Sequence, residues 1–401
     1  MATKEQQPKQ GRPRPEPRPS ACIILVSPTN QVLLLHRVHT SSAFPSAHVF
    51  PGGNLSAFHD IDGDFPLPGD VARHEDSLTY RLTAIRETFE ESGILLARDT
   101  RRGEEGALLH LPTVERDKAR KAIYENKVPF VEWVKDAGGA VDIENLLPFT
   151  RWITPEMMPK RFSTQMYIYM LPLSSPSQSP GTSSEGEEDP TISEAARSEA
   201  MIPTPDGGVE HTAARFDEAA TWLEKHRRDE IVLFPPQYFL LHLISQFLTG
   251  PPPPAPNSPS EAAATERHYY RKQREQLVGF LETVPTTSDP KAARHPTAQI
   301  PWSRKVISPT TLGVRQSDRR SILGLDKPGY ELRGTDRGGD MERVVLVKFE
   351  KGGLVRNVKV RGRAEVLAEE REVGREATKA GNAVRDAKGA EEGKGGDGSK
   401  L

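Results

Sequence analysis

Short apolar runs separated by polar turns mark the first part of the chain. Residues 21–26 are apolar throughout, which is typical of a buried strand, and a Pro-Thr-Asn turn separates them from a second apolar run at residues 32–35. Residues 47–50 lead into a turn at Gly52 and Gly53. The pattern predicts three short strands in succession, the last of which ends at a tight turn.

Residues 77–92 have helical periodicity instead of strand alternation. The apolar stripe consists of Leu78, Leu82, Ile85 and Phe89, and the opposite face carries Glu87, Glu90 and Glu91. Gly93 suits the position just after a helix ends. Because like charges at this spacing repel, a divalent cation such as Mg²⁺ would convert the repulsion into coordination. The alternative is an ordinary solvated acidic face.

The rest of the chain alternates folded segments with proline-rich or charged tracts. Helical patterns occur at residues 113–137, 216–227, 238–248, 261–282 and 363–392, and strand patterns at 94–96, 146–153 and 166–171. A glycine-containing turn separates residues 343–349 from 354–360, which predicts a β-hairpin. The pattern predicts a disordered stretch at 1–19, followed by a folded α/β domain at 20–248 with insertions at about 54–73 and 174–208. After this domain it predicts a linker with a charged helix at 249–300, an extension with a hairpin at 301–362, and a charged tail at 363–401.

Composition excludes several classes of protein. The formal net charge of −2 gives no overall field that attracts nucleic acid, and basic residues do not alternate with aromatic ones, so we expect no nucleic-acid partner. No apolar stretch is long enough to predict a membrane span. The single cysteine, Cys22, excludes an intrachain disulfide, and its apolar surroundings predict a small buried side chain without a nucleophilic role.

The helix with the three glutamates carries a recognisable motif. Residues 86–94 read Arg-Glu-Thr-Phe-Glu-Glu-Ser-Gly-Ile and residues 50–53 read Phe-Pro-Gly-Gly, which together resemble the Nudix box G-x5-E-x7-R-E-U-x-E-E-x-G-U of the Nudix hydrolases, where U is apolar. Gly53 lies 33 positions before Arg86, where the uninterrupted box has 14, so 19 residues are inserted. The insertion, which contains Asp60, Asp62 and Asp64, is predicted to be an exposed loop.

One position of the box differs from the family pattern. Counted back from Arg86, the box glutamate falls on Leu78. Glu75 or Asp76 would have to substitute for it, although Asp76 also suits the N-cap of the helix.

The resemblance implies a fold, a cofactor and roles for particular residues. The fold is the α/β Nudix sandwich of three layers, α/β/α with a mixed central sheet, here with disordered insertions and a C-terminal β-hairpin extension. The implied cofactor is Mg²⁺ or Mn²⁺, bound by Glu87, Glu90 and Glu91. Glu90 or Glu91 would also accept the proton of the reacting water, and Arg86 would orient a carboxylate.

Further segments resemble the peroxisomal coenzyme A diphosphatase branch of this superfamily. They are residues 47–53, 84–96, 152–162 and 233–238. The implied reaction cleaves coenzyme A or acyl-coenzyme A at the diphosphate into 3′,5′-ADP and (acyl-)4′-phosphopantetheine. Candidate substrate-binding residues are Arg37, Gly52, Gly53, Lys160 and Arg161.

Two other functions stay open at this point. Because only Leu33, Leu34 and Arg37 fit the upstream coenzyme A pattern of the branch, the substrate could be NAD(H), a nucleotide sugar or a capped nucleotide. The displaced box glutamate also allows a catalytically silent Nudix fold that acts as a binding module.

The sequence also predicts a location. Ser399-Lys400-Leu401 matches the tripeptide that the peroxisomal import receptor reads, which makes this receptor an expected partner. We expect no secretory signal, because no apolar segment precedes the first strand, and a mitochondrial or cytoplasmic location is the alternative.

Overall fold

The structure is a computed structural model that describes residues 14–38, 46–61, 63–101, 107–173, 203–204, 211–252, 259–285, 287, 289–350 and 355–392. Its strands are β1 Arg18–Val26, β2 Val32–Arg37, β3 His48–Val49, β4 Gly52–Asn54, β5 Ala97–Asp99, β6 Gly139–Val141, β7 Leu147–Ile153, β8 Phe162–Met170, β9 His211–Asp217, β10 Lys305–Ile307, β11 Thr310–Val314, β12 Ser321–Leu325, β13 Asp340–Phe349 and β14 Val355–Gly362. Its helices are α1 Leu78–Ser92, α2 Thr113–Tyr124, α3 Phe130–Asp136, α4 Ala219–Arg227, α5 Pro235–Ile244, α6 Pro259–Glu282, α7 Pro290–Arg294 and α8 Arg363–Glu392.

A mixed sheet of eight strands forms the centre of the molecule. Its strands run in the order β10-β7-β8-β1-β2-β3, with β4 also paired to β1 and β9 to β2. The pairs β1–β8 and β10–β7 are parallel, whereas the other pairs are antiparallel. Together with the helices on its two faces, this sheet confirms the predicted α/β sandwich with a mixed central sheet.

The segment from β3 to β4 changes partner within the sheet, and this change creates the bend at Gly52. Val49 pairs with β2, but Gly52 and Gly53 pair with β1, opposite Cys22 and Ala21. Between them, the carbonyl of Pro51 accepts a hydrogen bond from the backbone N–H of Ile23 at 2.9 Å. Gly52 has φ = 150°, and a Cβ there would lie 2.3 Å from the carbonyl oxygen of Ala21, so only glycine fits.

Helix α1 packs on one face of the sheet beside this bend. It buries Tyr80, Ala84, Ile85 and Phe89 against the β1 side chains of Ala21, Ile23 and Leu25. Gly93 ends the helix in the left-handed conformation (φ = 74°), and its N–H donates to the carbonyl of Phe89, as predicted. Leu78 is 50% exposed, so the predicted apolar stripe begins only at Leu82.

The N-cap position of α1 is Ser77, and the prediction of Asp76 is wrong. The carboxylate of Asp76 instead accepts a hydrogen bond from Arg81 at 2.6 Å and another from the hydroxyl of Tyr167. The carboxylate of Asp76, which local preference would place at the N-cap, therefore binds Tyr167 of β8 instead.

The opposite face of the sheet carries a second helical layer and a second sheet. Trp152 and Trp302 pack there with Trp222 of α4 and Phe239 of α5. The predicted hairpin is confirmed as β13 and β14, and it forms part of a four-stranded antiparallel sheet, β11-β12-β13-β14. The β13 side chains of Val345 and Val347 join the same apolar cluster, so the C-terminal extension shares the core of the main domain.

The segments predicted as a linker at 249–300 and an extension at 301–362 both pack against the main domain. Leu277 and Leu281 of α6 are buried in the apolar cluster, and Arg274 donates to the carbonyls of Ser27 and Leu171 at 2.7 Å each. In addition, β10 adds a strand to the central sheet. These contacts were not predicted, because α6 is highly charged and only one narrow stripe of its side chains is buried.

Several element predictions also need correction. Strand β1 begins at Arg18, two residues before the predicted domain, and the strand predicted at residues 94–96 begins at Ala97. The predicted helix at 113–137 is two helices, α2 and α3. Phe216 lies in β9, not in a helix, because it pairs with β2. Strand β2 is distant in the sequence, and local periodicity cannot reveal such a pairing.

The charged tail is helical as far as the structure describes it, since α8 ends at Glu392. The predictions for residues 1–13, for most of the insertion at 174–208 and for the terminal tripeptide lie outside the described residues. Within the described part of the chain, no helix combines the length and apolar character that a membrane crossing requires.

Candidate active site

The glutamates of α1 face the glycine bend. The backbone N–H of Gly52 donates to Oε2 of Glu91 at 2.8 Å. A Cβ on Gly53 would lie 2.5 Å from the carboxylate carbon of Glu87, so the absence of a side chain at Gly53 makes room for that carboxylate. The structure therefore brings Glu87 and Glu91 together with Gly52 and Gly53, residues that are more than thirty positions apart in the sequence.

Arg86 lies at the centre of the carboxylates and is only 3% exposed. Its Nη1 contacts Oε1 of Glu87 at 3.0 Å and Oε1 of Glu90 at 2.9 Å. Its Nη2 donates to the carbonyl of Asn54 at 3.0 Å. One guanidinium thus fixes both glutamates and ties the helix to β4, which is the geometry expected of a residue that orients carboxylates.

The insertion supplies the main partner of Arg86, a contact that the sequence reasoning missed. Asp60 accepts from Nε and Nη2 of Arg86, both at 2.8 Å, which is a bidentate pair. It also accepts from the hydroxyl of Thr83 and the backbone N–H of Ser56, both at 2.9 Å. Asp60 is 1% exposed, so the prediction that this part of the insertion is an exposed loop is wrong.

The position of Asp60 also corrects the account of the displaced box glutamate. Asp60 lies seven positions after Gly53, one more than the box spacing of six, so one inserted residue precedes this carboxylate and the other eighteen follow it. Counting six positions forward from Gly53 leads to His59, the neighbour of Asp60, whereas counting back from Arg86 led to Leu78. Neither suggested substitute takes this place: Asp76 binds Arg81 and Tyr167, and Glu75 is exposed.

The electrostatics of the cluster favour a cation. Three carboxylates, those of Asp60, Glu87 and Glu90, contact the guanidinium of Arg86, and a fourth, that of Glu91, accepts from the N–H of Gly52. Burial raises the pKa of Glu87 to about 7, the charge of Arg86 opposes this rise, and Glu90 and Asp60 add to it. Since the pKa of Glu87 is higher in the folded chain, this group stabilises the fold below its ordinary pKa of 4.5, and the contribution is lost as the pH rises through about 7.

A divalent cation fits this excess of buried negative charge, because carboxylate oxygens are the ligands that such ions prefer. The side chains that would hold it are Glu87, Glu90 and Glu91. As they stand, these carboxylates are directed to protein donors, and no group of three or more His, Cys, Asp or Glu side chains in the described ranges is already arranged around a metal position.

Arg120 holds the last turn of α1, a second contact that the sequence reasoning missed. Its Nε and Nη2 donate to the backbone carbonyl of Glu90 at 3.1 and 2.8 Å. Its Nη1 donates to the hydroxyl of Thr204 at 3.0 Å, and the N–H of Thr204 donates to the carbonyl of Ser92 at 2.8 Å. These bonds satisfy the carbonyls of Glu90 and Ser92 in the last turn of α1, the turn that carries the carboxylates of Glu90 and Glu91. No local signal in α2 indicates this role.

The predicted substrate-binding residues do not form one group. Arg161 is 3% exposed and forms an ion pair of 2.6 Å with Glu331 of the C-terminal extension. Arg161 directly precedes β8. Four residues further on, Gln165 pairs with Ala21 of β1, which in turn pairs with Gly53, so Arg161 lies roughly 13 Å along the strand direction from the level of Gly53 at the usual rise per residue. The side chain of Arg161 is thus buried and paired within the protein, and its role in substrate binding stays a prediction. Lys160 is exposed in the same turn.

Cys22 lies at the bend, whereas the backbone N–H of Arg37 donates to the carbonyl of Ala47, five residues before Gly52. A Cβ on Gly52 would come 2.6 Å from Sγ of Cys22, and the positive charge of Arg37 is near enough to act on this thiol. Burial, with smaller effects from Glu91 and Glu87, raises the pKa of Cys22 far above its ordinary value. The thiol therefore stays protonated, in agreement with the prediction that it is not a nucleophile.

Known proteins are similar to this chain in sequence. The family described as the NUDT19 Nudix domain matches residues 58–188. The acyl-coenzyme A diphosphatase NUDT19 of Gallus gallus is 26% identical over 266 residues, which is 54% of this chain and 61% of that protein. The Xenopus laevis protein of the same name is 24% identical over 262 residues, or 54% of this chain and 60% of the relative.

A solved structure is also similar. The NUDIX hydrolase from Alicyclobacillus acidocaldarius, at 20% identity and a TM-score of 0.40, covers 57% of this chain and 90% of its own. The family match covers residues 58–188, which include the box residues 86–94, so this part of the chain is similar to a Nudix domain of the coenzyme A diphosphatase branch. The chain spans about 60% of the length of the two vertebrate relatives.

Proposed function

We propose that this protein is a divalent-metal-dependent hydrolase that cleaves coenzyme A or acyl-coenzyme A at the diphosphate. The observation that carries the proposal is the approach of Glu91 and Glu87 to the Gly52–Gly53 bend, with Glu90 joined to Glu87 through Arg86. With Mg²⁺ or Mn²⁺ bound there, the ion neutralises charge on the phosphate oxygens and makes a water more acidic. In the reaction, the water oxygen bonds to one phosphorus while the bridging P–O bond breaks, and the products are 3′,5′-ADP and (acyl-)4′-phosphopantetheine.

The residues of the chain have distinct tasks in this proposal. Glu90 or Glu91 accepts the proton of the attacking water, since both lie on the last turn of α1. Arg86 keeps the carboxylates of Glu87 and Glu90 in place, and Asp60 in turn holds Arg86. The N–H of Gly52 fixes the Glu91 carboxylate against β4.

Two observations support a coenzyme A substrate over other diphosphates. The relatives from Gallus gallus and Xenopus laevis are named acyl-coenzyme A diphosphatases. Arg37 is the basic residue of the upstream coenzyme A pattern, and its charge acts on the thiol of Cys22 beside Gly52. The pairing of Asp60 with Arg86 argues against the binding-module alternative, which assumed that the box carboxylate is missing.

A product assay tests the proposal. Purified protein is incubated with Mn²⁺ and, separately, coenzyme A, acetyl-coenzyme A, NADH, a nucleotide sugar and a capped nucleotide, and the products are separated by chromatography. We expect 3′,5′-ADP from both coenzyme A compounds and slower or no cleavage of the others. Cleavage of another compound without 3′,5′-ADP would overturn the substrate, and no cleavage at all would overturn the activity.

A peroxisomal location belongs to this proposal and rests on Ser399-Lys400-Leu401. A fluorescent protein fused to the N-terminus should enter peroxisomes, whereas the same fusion without the last three residues should stay outside. Mitochondrial signal from both fusions would contradict the proposed address.

A further inference from the structure

The last turn of α1 is held by residues that lie outside the Nudix box. The final carbonyls of a helix have no partner within the helix itself, so other groups must bind them. The carbonyl of Glu90 accepts from Nε and Nη2 of Arg120 at 3.1 and 2.8 Å, and the carbonyl of Ser92 accepts from the N–H of Thr204 at 2.8 Å. Arg120 belongs to α2, and Thr204 lies near the end of the predicted insertion at 174–208.

Arg120 and Thr204 also bind each other, so they act on α1 as one unit. Nη1 of Arg120 donates to the hydroxyl of Thr204 at 3.0 Å, and Nη2 donates to its carbonyl at 3.3 Å. Gly93 makes room for this pair, because a Cβ there would lie 2.7 Å from Oγ1 of Thr204 and 3.3 Å from Nη1 of Arg120. Gly93 therefore ends the helix and also admits the two residues that hold its last turn.

Helix α2 gives Arg120 a fixed position. Ala119 and Ile123, which precede and follow Arg120 in α2, are buried in the same apolar cluster as Phe89 of α1. Arg120 itself is only 9% exposed. Because the donors of a guanidinium form a rigid, planar fork, two bonds to one carbonyl fix the direction of that carbonyl as well as its distance.

The turn that these bonds hold carries two of the candidate site carboxylates. Glu90 is held at both ends, since Arg120 binds its backbone carbonyl and Nη1 of Arg86 contacts its Oε1 at 2.9 Å. Glu91 follows it, and its carboxylate accepts from the N–H of Gly52 at 2.8 Å. A rotation of this turn would therefore move both carboxylates relative to the bend. The charge of Arg120 also opposes the negative end of the helix dipole.

We propose that Arg120 and Thr204 are positioning residues for the cation site. They hold the backbone of the last turn of α1, so that Glu90 and Glu91 keep the places from which they bind one ion. This inference rests on the proposed function and extends it, because it makes α2 and Thr204 parts of the site although neither belongs to the box. Since neither side chain contacts the ion or the substrate in this role, their loss should change metal affinity and kcat but not KM for coenzyme A.

Mn²⁺ binding by calorimetry and steady-state cleavage of coenzyme A test the inference. We expect Arg120→Met to weaken Mn²⁺ binding and to lower kcat by about tenfold each, with KM for coenzyme A within about twofold of the wild type. Arg120→Lys keeps the charge but has one nitrogen in place of the fork, so it should lie between Arg120→Met and the wild type. Lys118→Met removes an exposed cation from the same helix and should match the wild type.

Thr204→Val is a milder variant that keeps the shape of the side chain and the N–H bond to Ser92 but lacks the hydroxyl. We expect it to weaken Mn²⁺ binding by about threefold, as the loss of one hydrogen bond implies. Together with Arg120→Lys, it keeps the test possible if Arg120→Met does not fold.

The outcomes separate positioning from a purely structural role. A lower urea midpoint in the Arg120 variants, with Mn²⁺ affinity and kcat of the folded protein unchanged, would overturn the inference. Tighter Mn²⁺ binding by Arg120→Met, with wild-type values for Arg120→Lys, would also overturn it, since charge alone would then explain the effect. If the wild type forms no 3′,5′-ADP from coenzyme A, the proposed function fails, and the Mn²⁺ affinities of the variants alone decide the inference. No Mn²⁺ binding by the wild type would overturn both.

Discussion

Glu90→Gln is expected to lower turnover of coenzyme A by at least about 100-fold while the protein stays folded. The carboxylate would act on the reacting water or the cation, and a neutral amide does neither well. The fold should survive because the amide oxygen can still accept the bond from Nη1 of Arg86, now at 2.9 Å from Oε1. Turnover at saturating substrate and the unfolding midpoint in urea are the two measurements.

Glu275→Gln, an exposed glutamate on α6, is the matched control and should match the wild type in both assays. Wild-type turnover in Glu90→Gln would remove Glu90 from the mechanism. A large fall in the urea midpoint, together with the loss of turnover, would instead make Glu90 a structural residue.

Asp60→Ala is expected to have the largest effect on stability. It leaves the guanidinium of Arg86, 3% exposed, without its bidentate partner, and breaking a buried ion pair in this way costs about 3–5 kcal/mol. It also removes the acceptor of the Thr83 hydroxyl and the Ser56 N–H. Because Arg86 positions Glu87 and Glu90, turnover should fall by at least about tenfold. Urea unfolding and the coenzyme A assay measure the two effects.

Asp64→Ala provides the control within the same insertion, since Asp64 is exposed, and we expect little change from it. Asp60→Asn adds a graded variant that keeps the shape of the side chain but lacks the charge, and it should lie between the wild type and Asp60→Ala. If Asp60→Ala and Asp64→Ala behave alike, the insertion does not support the site.

The sequence predicted those parts of the fold that depend on local pattern. The glutamate helix, its end at Gly93, the first two strands and the C-terminal hairpin follow from periodicity and turn residues. Strand β9 and the packing of α6 were missed, because both depend on partners more than 100 residues away. Local pattern carries no information on such distant contacts.

The candidate site was predictable where a motif fixes spacing and unpredictable where a loop or a distant element contributes. The Gly52–Gly53 turn and the three glutamates were found from their order in the box. Asp60 was missed because the inserted residues change the count from Arg86, and its burial depends on contacts with α1 that its polar neighbours do not indicate. The ion pair of Arg161 was not predicted, because its partner, Glu331, lies 170 residues away.

Binding of Mn²⁺ to the wild type and to Glu87→Gln, followed by calorimetry in two buffers of different ionisation enthalpy, tests the central claim most directly. With the pKa of Glu87 raised to about 7, the carboxyl is mostly protonated at pH 6, and a cation must displace that proton. We predict that the wild type binds Mn²⁺ at pH 6 with proton release that fades above pH 7, and that Glu87→Gln binds more weakly without this release. No Mn²⁺ binding by the wild type, or the same affinity and proton release in Glu87→Gln, would contradict a cation site at these carboxylates.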